Sequence, residues 1–176
     1  REQDMEVYRT LAAENGITKL RTLTRGGDTR TESVLAGVSA ASEACALVAV
    51  HDGARPLVSD EVITQAVDEA AKTGAAAPVV PVKDSIKRIE NEKIAADVPR
   101  DTLAAVQTPQ VFQADLIKAA LTNAMRKHLA ITDDCSAVEQ LRVKPVVTQG
   151  SEENIKITTP IDIELAESIL RRRSQA

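Results

Sequence analysis

The segment LVAVHDGARPLVSDEV (residues 47–62) decides the fold, because it joins an apolar run to a polar loop and then to a helix start. The apolar run is continuous rather than alternating, as in strands that are buried on both faces of a parallel sheet. His51, Asp52 and Arg55 follow it directly. Ligands of open α/β sheets bind beyond the carboxyl ends of the strands, so these side chains are predicted to border a site. Without other groups, the Asp–Arg pair would be an ordinary surface contact of little energy.

Strand and helix patterns alternate along the rest of the chain. Predicted helices cover 2–14, 31–44, 60–73 and 113–127, with two more starting after the caps Thr132 and Thr159. Predicted strands cover 17–23, 45–50 and 75–82, with two short ones at 144–149 and 154–158. The prolines in 75–82 favour an edge strand or a bend. The alternation predicts one α/β domain over residues 1–176, with three layers and a mainly parallel sheet.

Residues 83–103 depart from this alternation. Two alternating stretches flank Glu90-Asn91-Glu92, which predicts a β-hairpin with a longer turn. Both faces of this hairpin are too charged to form a core. A two-stranded hairpin is marginally stable alone, so this segment is expected to protrude as an arm and to pack on a partner. A second copy of the chain is the simplest partner, which predicts a homodimer.

Composition excludes several classes of protein. The net charge of -4 and an aromatic content of 1% are unlike a nucleic-acid-binding surface or a base-stacking platform. No apolar run is long enough to span a membrane, and no signal peptide opens the chain. The two cysteines are too few for a disulfide framework and predict free thiols in a cytoplasmic protein.

Four polar clusters follow predicted strands. They contain Gly27, Asp28 and Ser33; His51, Asp52 and Arg55; Thr108, preceded by Arg100; and Asn154 and Lys156. Each has an ordinary alternative, such as a tight turn, a helix cap or a solvated lysine. The sequence lacks a Ser-His-Asp arrangement and metal-ligand spacing, whereas several cations with helix-start hydroxyls and one Asp suit phosphoryl transfer.

Six segments, in this order, resemble one family. They are RGGDTRTESVLAGV (25–38), VHDGARPLV (50–58), PVKDSIKRI (81–89), VPRDTLAAVQTPQVF (98–112), ITDDCSAVEQL (131–141) and SEENIKITTPIDIELAE (151–167). Together they resemble the 2-C-methyl-D-erythritol 4-phosphate cytidylyltransferase family of non-mevalonate isoprenoid biosynthesis. The resemblance implies a Rossmann-like nucleotidyltransferase fold, a homodimer with a dimerisation arm, and transfer of CMP from CTP to methylerythritol phosphate with a divalent cation, normally Mg²⁺.

The resemblance also implies roles for individual residues. Gly27, Asp28 and Ser33 would contact the cytidine, and Asp52 would lie near the ribose, the metal and the substrate. The residues implied on the acceptor side are Arg55, Ser85, Thr108, Thr132 and, from the other subunit's arm, Arg100. Lys156 would bind phosphate as charge builds in the transition state, so Lys156 and Asp52 are the predicted catalytic residues.

The start of the chain departs from the family pattern. The family's glycine-rich loop and Pro-Lys-Gln segment do not occur in this sequence, and we expect that about two βαβ units precede Arg1. Three alternatives stay open at this point. One is a ribitol 5-phosphate cytidylyltransferase, and another is a non-catalytic nucleotide-binding domain. The third, a dehydrogenase-like domain, lacks the dinucleotide fingerprint.

Overall fold

The computed structural model describes residues 1–175, in which α-helices and β-strands alternate. The helices are α1 (Met5–Glu14), α2 (Arg30–Ser39), α3 (Asp60–Thr73), α4 (Ala114–Arg126), α5 (Asp134–Glu139) and α6 (Pro160–Arg173). The strands are β1 (Leu47–Val50), β2 (Ala75–Pro81), β3 (Ile86–Glu90), β4 (Lys93–Val98), β5 (Ala104–Val106), β6 (Gln110–Gln113) and β7 (Val146–Gln149). The predicted α/β class is confirmed.

The chain divides into two compact units. The first comprises Arg1–Val48 and Phe112–Lys144, and the second comprises Ala49–Val111 and the chain from Pro145 onward. The predicted single domain over residues 1–176 stays a prediction. Each unit is described by itself below.

The first unit is helical. Helix α4 packs against α2 and α5, and its core contains the fully buried side chains Phe112, Ile117, Leu121 and Val138. A capping box precedes α2: Thr29 Oγ1 accepts from the Glu32 N–H at 3.2 Å, and the Glu32 carboxylate accepts from the Thr29 N–H at 3.0 Å. Helix α5 is capped by Asp133, whose Oδ1 accepts from the Ser136 N–H at 2.8 Å. The prediction that Thr132 caps this helix was therefore wrong by one residue.

The sheet is mixed, and three of its strands, β2, β5 and β7, lie wholly in the second unit. The strand order is β1-β6-β2-β5, and β7 also pairs with β2. Strand β7 runs parallel to β2, whereas β5 runs antiparallel to it. Because the hairpin of β3 and β4 reverses the chain before β5, β5 returns beside β2 in the opposite direction. The prediction of a mainly parallel sheet is not confirmed.

Helix α3 covers β2 and β7 with a face of small residues. Val62, Ala66 and Ala70 recur at helical spacing and are buried, as are the alanines of β2. Ser59 Oγ accepts from the Val62 N–H at 3.4 Å, and Gly74 ends the helix with φ +90°. The boundaries predicted from these residues are confirmed.

Helix α6 packs through Ala166 and Ile169 against Leu57, and the half-buried Ile155 and Ile157 join this cluster. The helix begins where the Asp162 carboxylate accepts from the N–H groups of Thr158 and Thr159, and these bonds lower the pKa of Asp162.

Two predicted strands are absent. Residues 17–23 form no strand, and Ile17 and Leu20 there are 56% and 39% exposed. Residues 154–158 form none either, and this segment is held by the Asn154 side chain and by a backbone bond from the Ile157 N–H to the Ala54 carbonyl oxygen. Strand β2 pairs with three strands, so its prolines do not mark an edge.

The hairpin predicted within 83–103 is confirmed. Strands β3 and β4 pair antiparallel from Ile86↔Val98 to Glu90↔Lys93. The prediction of a longer turn was wrong, because Glu90 pairs with Lys93 and only Asn91 and Glu92 form the loop. They turn the chain with φ +48° and +62°, as a two-residue hairpin loop requires.

Candidate active site

The loop after β1 is fixed to the loop before β6 by one hydroxyl. Thr108 Oγ1 accepts from the Asp52 N–H at 3.0 Å and lies 2.9 Å from His51 Nδ1. His51 Nε2 lies 3.0 Å from the Arg55 carbonyl oxygen, which can only accept. Neutral His51 therefore carries its proton on Nε2, and the Thr108 hydroxyl donates to Nδ1. This arrangement gives His51 a role in holding the loop.

Asp52 lies between two cations. Its Oδ2 is 3.4 Å from Arg55 Nε and 3.1 Å from Lys156 Nζ, and its side chain is 21% exposed. Two positive charges facing one carboxylate leave an excess of positive charge in a partly buried place, where charges interact more strongly than in bulk water. The cluster of Asp52, Arg55 and Lys156 is thus suited to an anionic ligand such as a phosphate. Asp52, Thr108 and Lys156 thus lie together, whereas their roles in binding and catalysis stay predictions.

A buried amide pair lies behind this cluster. Asn154 is fully buried, and its Nδ2 donates to the Thr108 carbonyl oxygen at 2.8 Å. The backbone carbonyl oxygen of Asn154 accepts from Arg55 Nη1 at 2.7 Å. Gln107 is 6% exposed and donates from Nε2 to the Ser151 carbonyl oxygen at 2.8 Å. These bonds join all the segments that carry the charged cluster.

A cavity of about 370 Å³ lies beside Arg55 and Asn154, and Lys83, Asp84 and Glu152 also line it. The predicted site residue Ser85 sits in the chain between Asp84 and Ile86, both of which line this cavity, but Ser85 is not among its lining residues.

Arg100 lies at the base of the hairpin. Its Nη1 donates to the Lys83 carbonyl oxygen at 2.7 Å, and Arg100 lines a second cavity, of about 690 Å³, together with Gly150 and Glu152. Within this chain Arg100 therefore lies near Lys83 and Glu152, residues that line the first cavity.

The other predicted site residues belong to the first unit. Gly27 donates from its N–H to Ser33 Oγ at 3.1 Å, and the Asp28 N–H donates to the Glu32 carboxylate at 2.6 Å. A Cβ on Gly27 would lie 2.2 Å from Glu32 Cβ, so the capping box explains this glycine. Thr132 donates from its N–H to Ser136 Oγ at 3.1 Å. The binding roles of Gly27, Asp28, Ser33 and Thr132 stay predictions.

Two buried contacts were not predicted from the sequence. Gln107 lies beside Thr108, and a polar residue next to a strand end is itself a signal. The bidentate pair of Arg30 with the fully buried Asp134, at 2.9 and 2.6 Å, had no such signal because 104 residues separate its members.

Cys135 gives a prediction of pH dependence. Burial, with the nearby Asp133 and Asp134 carboxylates, raises the pKa of this thiol. Above about pH 8.5 the unfolded chain loses the thiol proton and the folded chain keeps it. The unfolded state then binds fewer protons, so stability is expected to fall by about 1.4 kcal/mol per pH unit. Urea unfolding of the wild type and of Cys135→Ala between pH 7 and 10 measures this, and equal declines in both would contradict it.

Residues 1–175 contain no cluster of three or more His, Cys, Asp and Glu side chains that could hold a metal ion. No helix in this part of the chain is long and apolar enough to cross a membrane.

Comparison with known proteins identifies relatives over nearly the whole chain. The family model "IspD: 2-C-methyl-D-erythritol 4-phosphate cytidylyltransferase" matches residues 1–172. The enzyme of that name from Halalkalibacterium halodurans is 45% identical over 99% of this chain and 76% of its own length. The one from Shouchella clausii is 41% identical over 98% of this chain and 75% of its own length.

Solved structures agree with these relatives. The 2-C-methyl-D-erythritol 4-phosphate cytidylyltransferase of Thermus thermophilus superposes with a TM-score of 0.78 at 37% identity, covering 88% of this chain and 79% of that one. The 4-diphosphocytidyl-2C-methyl-D-erythritol synthase of Anaerococcus prevotii gives a TM-score of 0.84 at 29% identity, covering 97% and 78%.

These neighbours and the charged cluster fit a nucleotidyltransferase fold. The chain belongs to the 2-C-methyl-D-erythritol 4-phosphate cytidylyltransferase family. These relatives are named for methylerythritol phosphate, so they do not favour the ribitol phosphate alternative.

Proposed function

We propose that this protein transfers CMP from CTP to 2-C-methyl-D-erythritol 4-phosphate and releases pyrophosphate. Membership of the family supports this activity. The observation that assigns it to particular residues is the placement of Asp52 between Arg55 and Lys156. An oxygen of the acceptor phosphate forms a bond to the α-phosphorus of CTP. The bond from that phosphorus to the bridging oxygen breaks, and pyrophosphate leaves with the electron pair.

The residues of this chain act by positioning and by charge. Lys156 neutralises negative charge that builds on the phosphoryl oxygens, and Arg55 binds the anionic acceptor. Asp52 orients both cations, and Thr108 holds the backbone of Asp52. Phosphoryl transfer needs little covalent participation by the protein, so residues that position the substrates and neutralise charge can catalyse it.

A divalent cation, normally Mg²⁺, is part of the proposal. Asp52 offers a partly exposed carboxylate, and Mg²⁺ is commonly held by one or two carboxylates together with substrate phosphates. The donor set therefore fits an ion that arrives with the nucleotide, with Asp52 as its protein ligand. Such an ion would supply charge neutralisation to the triphosphate.

Pyrophosphate release by the full-length protein tests the activity. The assay uses CTP and Mg²⁺ with methylerythritol 4-phosphate, with ribitol 5-phosphate, or with no acceptor. We expect release only with methylerythritol phosphate. Faster release with ribitol 5-phosphate would show that ribitol 5-phosphate, and not methylerythritol phosphate, is the acceptor. No release with either compound would favour a non-catalytic nucleotide-binding domain.

We also propose that the hairpin of β3 and β4 forms a homodimer and that Arg100 contacts the acceptor phosphate bound by the partner. Ile89 and Ile94 are paired on the hairpin and are 58% and 69% exposed, which supports a covered face. A cytoplasmic location stays a prediction.

Arg100→Ala is expected to raise the KM for methylerythritol phosphate by about 10- to 100-fold, because a charge-assisted hydrogen bond is lost. The dimer should persist in sedimentation. Mixed dimers of Arg100→Ala with Lys156→Ala chains should regain activity through one intact shared site. Mixed dimers without regained activity would show that Arg100 does not serve the partner's site.

A further inference from the structure

We propose that Gln107 and Asn154 are positioning residues, which hold the segment of Lys156 against the loop of Asp52 and Arg55. The inference rests on the proposed transfer reaction for its kinetic consequences. Its structural part does not depend on that reaction. Neither residue is proposed to touch substrate.

Gln107 binds the backbone of the loop after β7 at two points. Its Nε2 donates to the Ser151 carbonyl oxygen at 2.8 Å, and its Oε1 accepts from the Ser151 N–H at 3.1 Å. Gly150 lies so close to the Gln107 side chain that a Cβ on this residue would be 2.7 Å from Gln107 Oε1. One buried amide therefore fixes both the position and the direction of this loop.

Asn154 links this loop to the other side of the site. Its Nδ2 donates to the Thr108 carbonyl oxygen at 2.8 Å and to Gln107 Oε1 at 3.3 Å. Both partners are acceptors, so the orientation of the amide is determined. The backbone carbonyl oxygen of Asn154 accepts from Arg55 Nη1. Asn154 thereby contacts the segments that carry Thr108 and Arg55.

The position of Lys156 depends on these bonds. Residues 154–158 belong to no strand, and a backbone bond from the Ile157 N–H to the Ala54 carbonyl oxygen, at 2.8 Å, is a further attachment to the Asp52 loop. A displacement of about 1 Å at a reacting centre can cost about 10²-fold in rate. Loss of the amide pair is expected to have an effect of this size.

Gln107→Glu tests the proposal with nearly the same shape. At neutral pH an ionised oxygen replaces the Nε2 donor and faces the Ser151 carbonyl oxygen. We expect kcat to fall by about 10²-fold, with the KM for CTP changed little. The introduced carboxyl group can donate again to Ser151 once it is protonated, so the deficit should shrink as pH falls. Gln113→Glu, at the exposed start of α4, is the matched control and should keep wild-type kinetics.

Amide hydrogen exchange supplies a readout that needs no activity. In Gln107→Glu the Ser151 and Ile157 amides should exchange about tenfold faster or more, whereas those of α3 should be unchanged. Asn154→Ala removes two donated bonds without adding charge and should give the same local pattern if Gln107→Glu does not fold. Folded variants with wild-type exchange at both amides would overturn the proposal. If the wild type lacks transferase activity, the proposed function fails, and exchange alone still decides the positioning role.

Discussion

Replacing Lys156 by alanine is expected to lower kcat for CMP transfer by about 10²- to 10³-fold, the usual cost of losing one donor to transition-state charge. Lys156 Nζ lies 3.1 Å from Asp52 Oδ2 and its side chain is 49% exposed, so the ammonium is held at the site and is still open to a ligand. Its contribution should increase as charge develops, so kcat should fall more than the affinity for either substrate.

Steady-state kinetics of Lys156→Ala, with both substrates varied, measures this effect. Lys144→Ala is the matched control, because Lys144 is also a lysine exposed in a loop of the chain but has no bond to the charged cluster. Lys156→Arg keeps the charge and should retain more activity than the alanine variant. An unchanged kcat in Lys156→Ala would remove this residue from the mechanism.

Arg30→Ala is expected to destabilise the folded protein by about 3 kcal/mol, because it leaves a buried carboxylate without its cation. Asp134 is fully buried, and both of its oxygens accept from Arg30, whose side chain is 40% exposed. Because Arg30 is partly exposed, the expected loss of folding free energy is at the lower end of the range for buried ion pairs. For a chain of this size the melting temperature should fall by about 6–12 °C.

Thermal unfolding is measured for Arg30→Ala and for the control Arg9→Ala. The comparison separates the effect of a buried partner from the loss of one positive charge. Arg9 pairs with Glu6 at 3.2 Å on the exposed face of α1, where such a pair contributes at most about 0.5 kcal/mol. The double variant Arg30→Met with Asp134→Leu should recover most of the lost stability, since a buried pair can be replaced by apolar groups. Equal melting temperatures for Arg30→Ala and Arg9→Ala would refute the argument.

Local signals predicted the elements that depend on local bonds. Helix α3 was predicted correctly at both ends because Ser59 and Gly74 act within one turn of it. The two strands of the hairpin were predicted correctly because their alternating stretches are adjacent in sequence, although the turn is shorter than predicted. Alternation in residues 17–23 misled the prediction because an alternating segment forms a strand only when another strand pairs with it.

The sequence predicted the charged residues of the candidate site but not the hydrogen bonds that hold them in place. Asp52, Arg55 and Lys156 are recognisable because ionised side chains beside strand ends suit phosphate chemistry. Gln107 and Asn154 act through partners that are far away in sequence, such as Ser151, which is 44 residues from Gln107. No local pattern in the sequence encodes such a contact.

Helix α6 has a consequence for synthesis of the protein. Arg172 and Arg173 both pair with Glu153, and Arg173 also donates to the Leu57 carbonyl oxygen at 2.9 Å. The loop that leads to Lys156 is therefore braced by residues that are translated after Lys156 itself. A nascent chain therefore lacks this brace for as long as α6 is still inside the ribosomal tunnel.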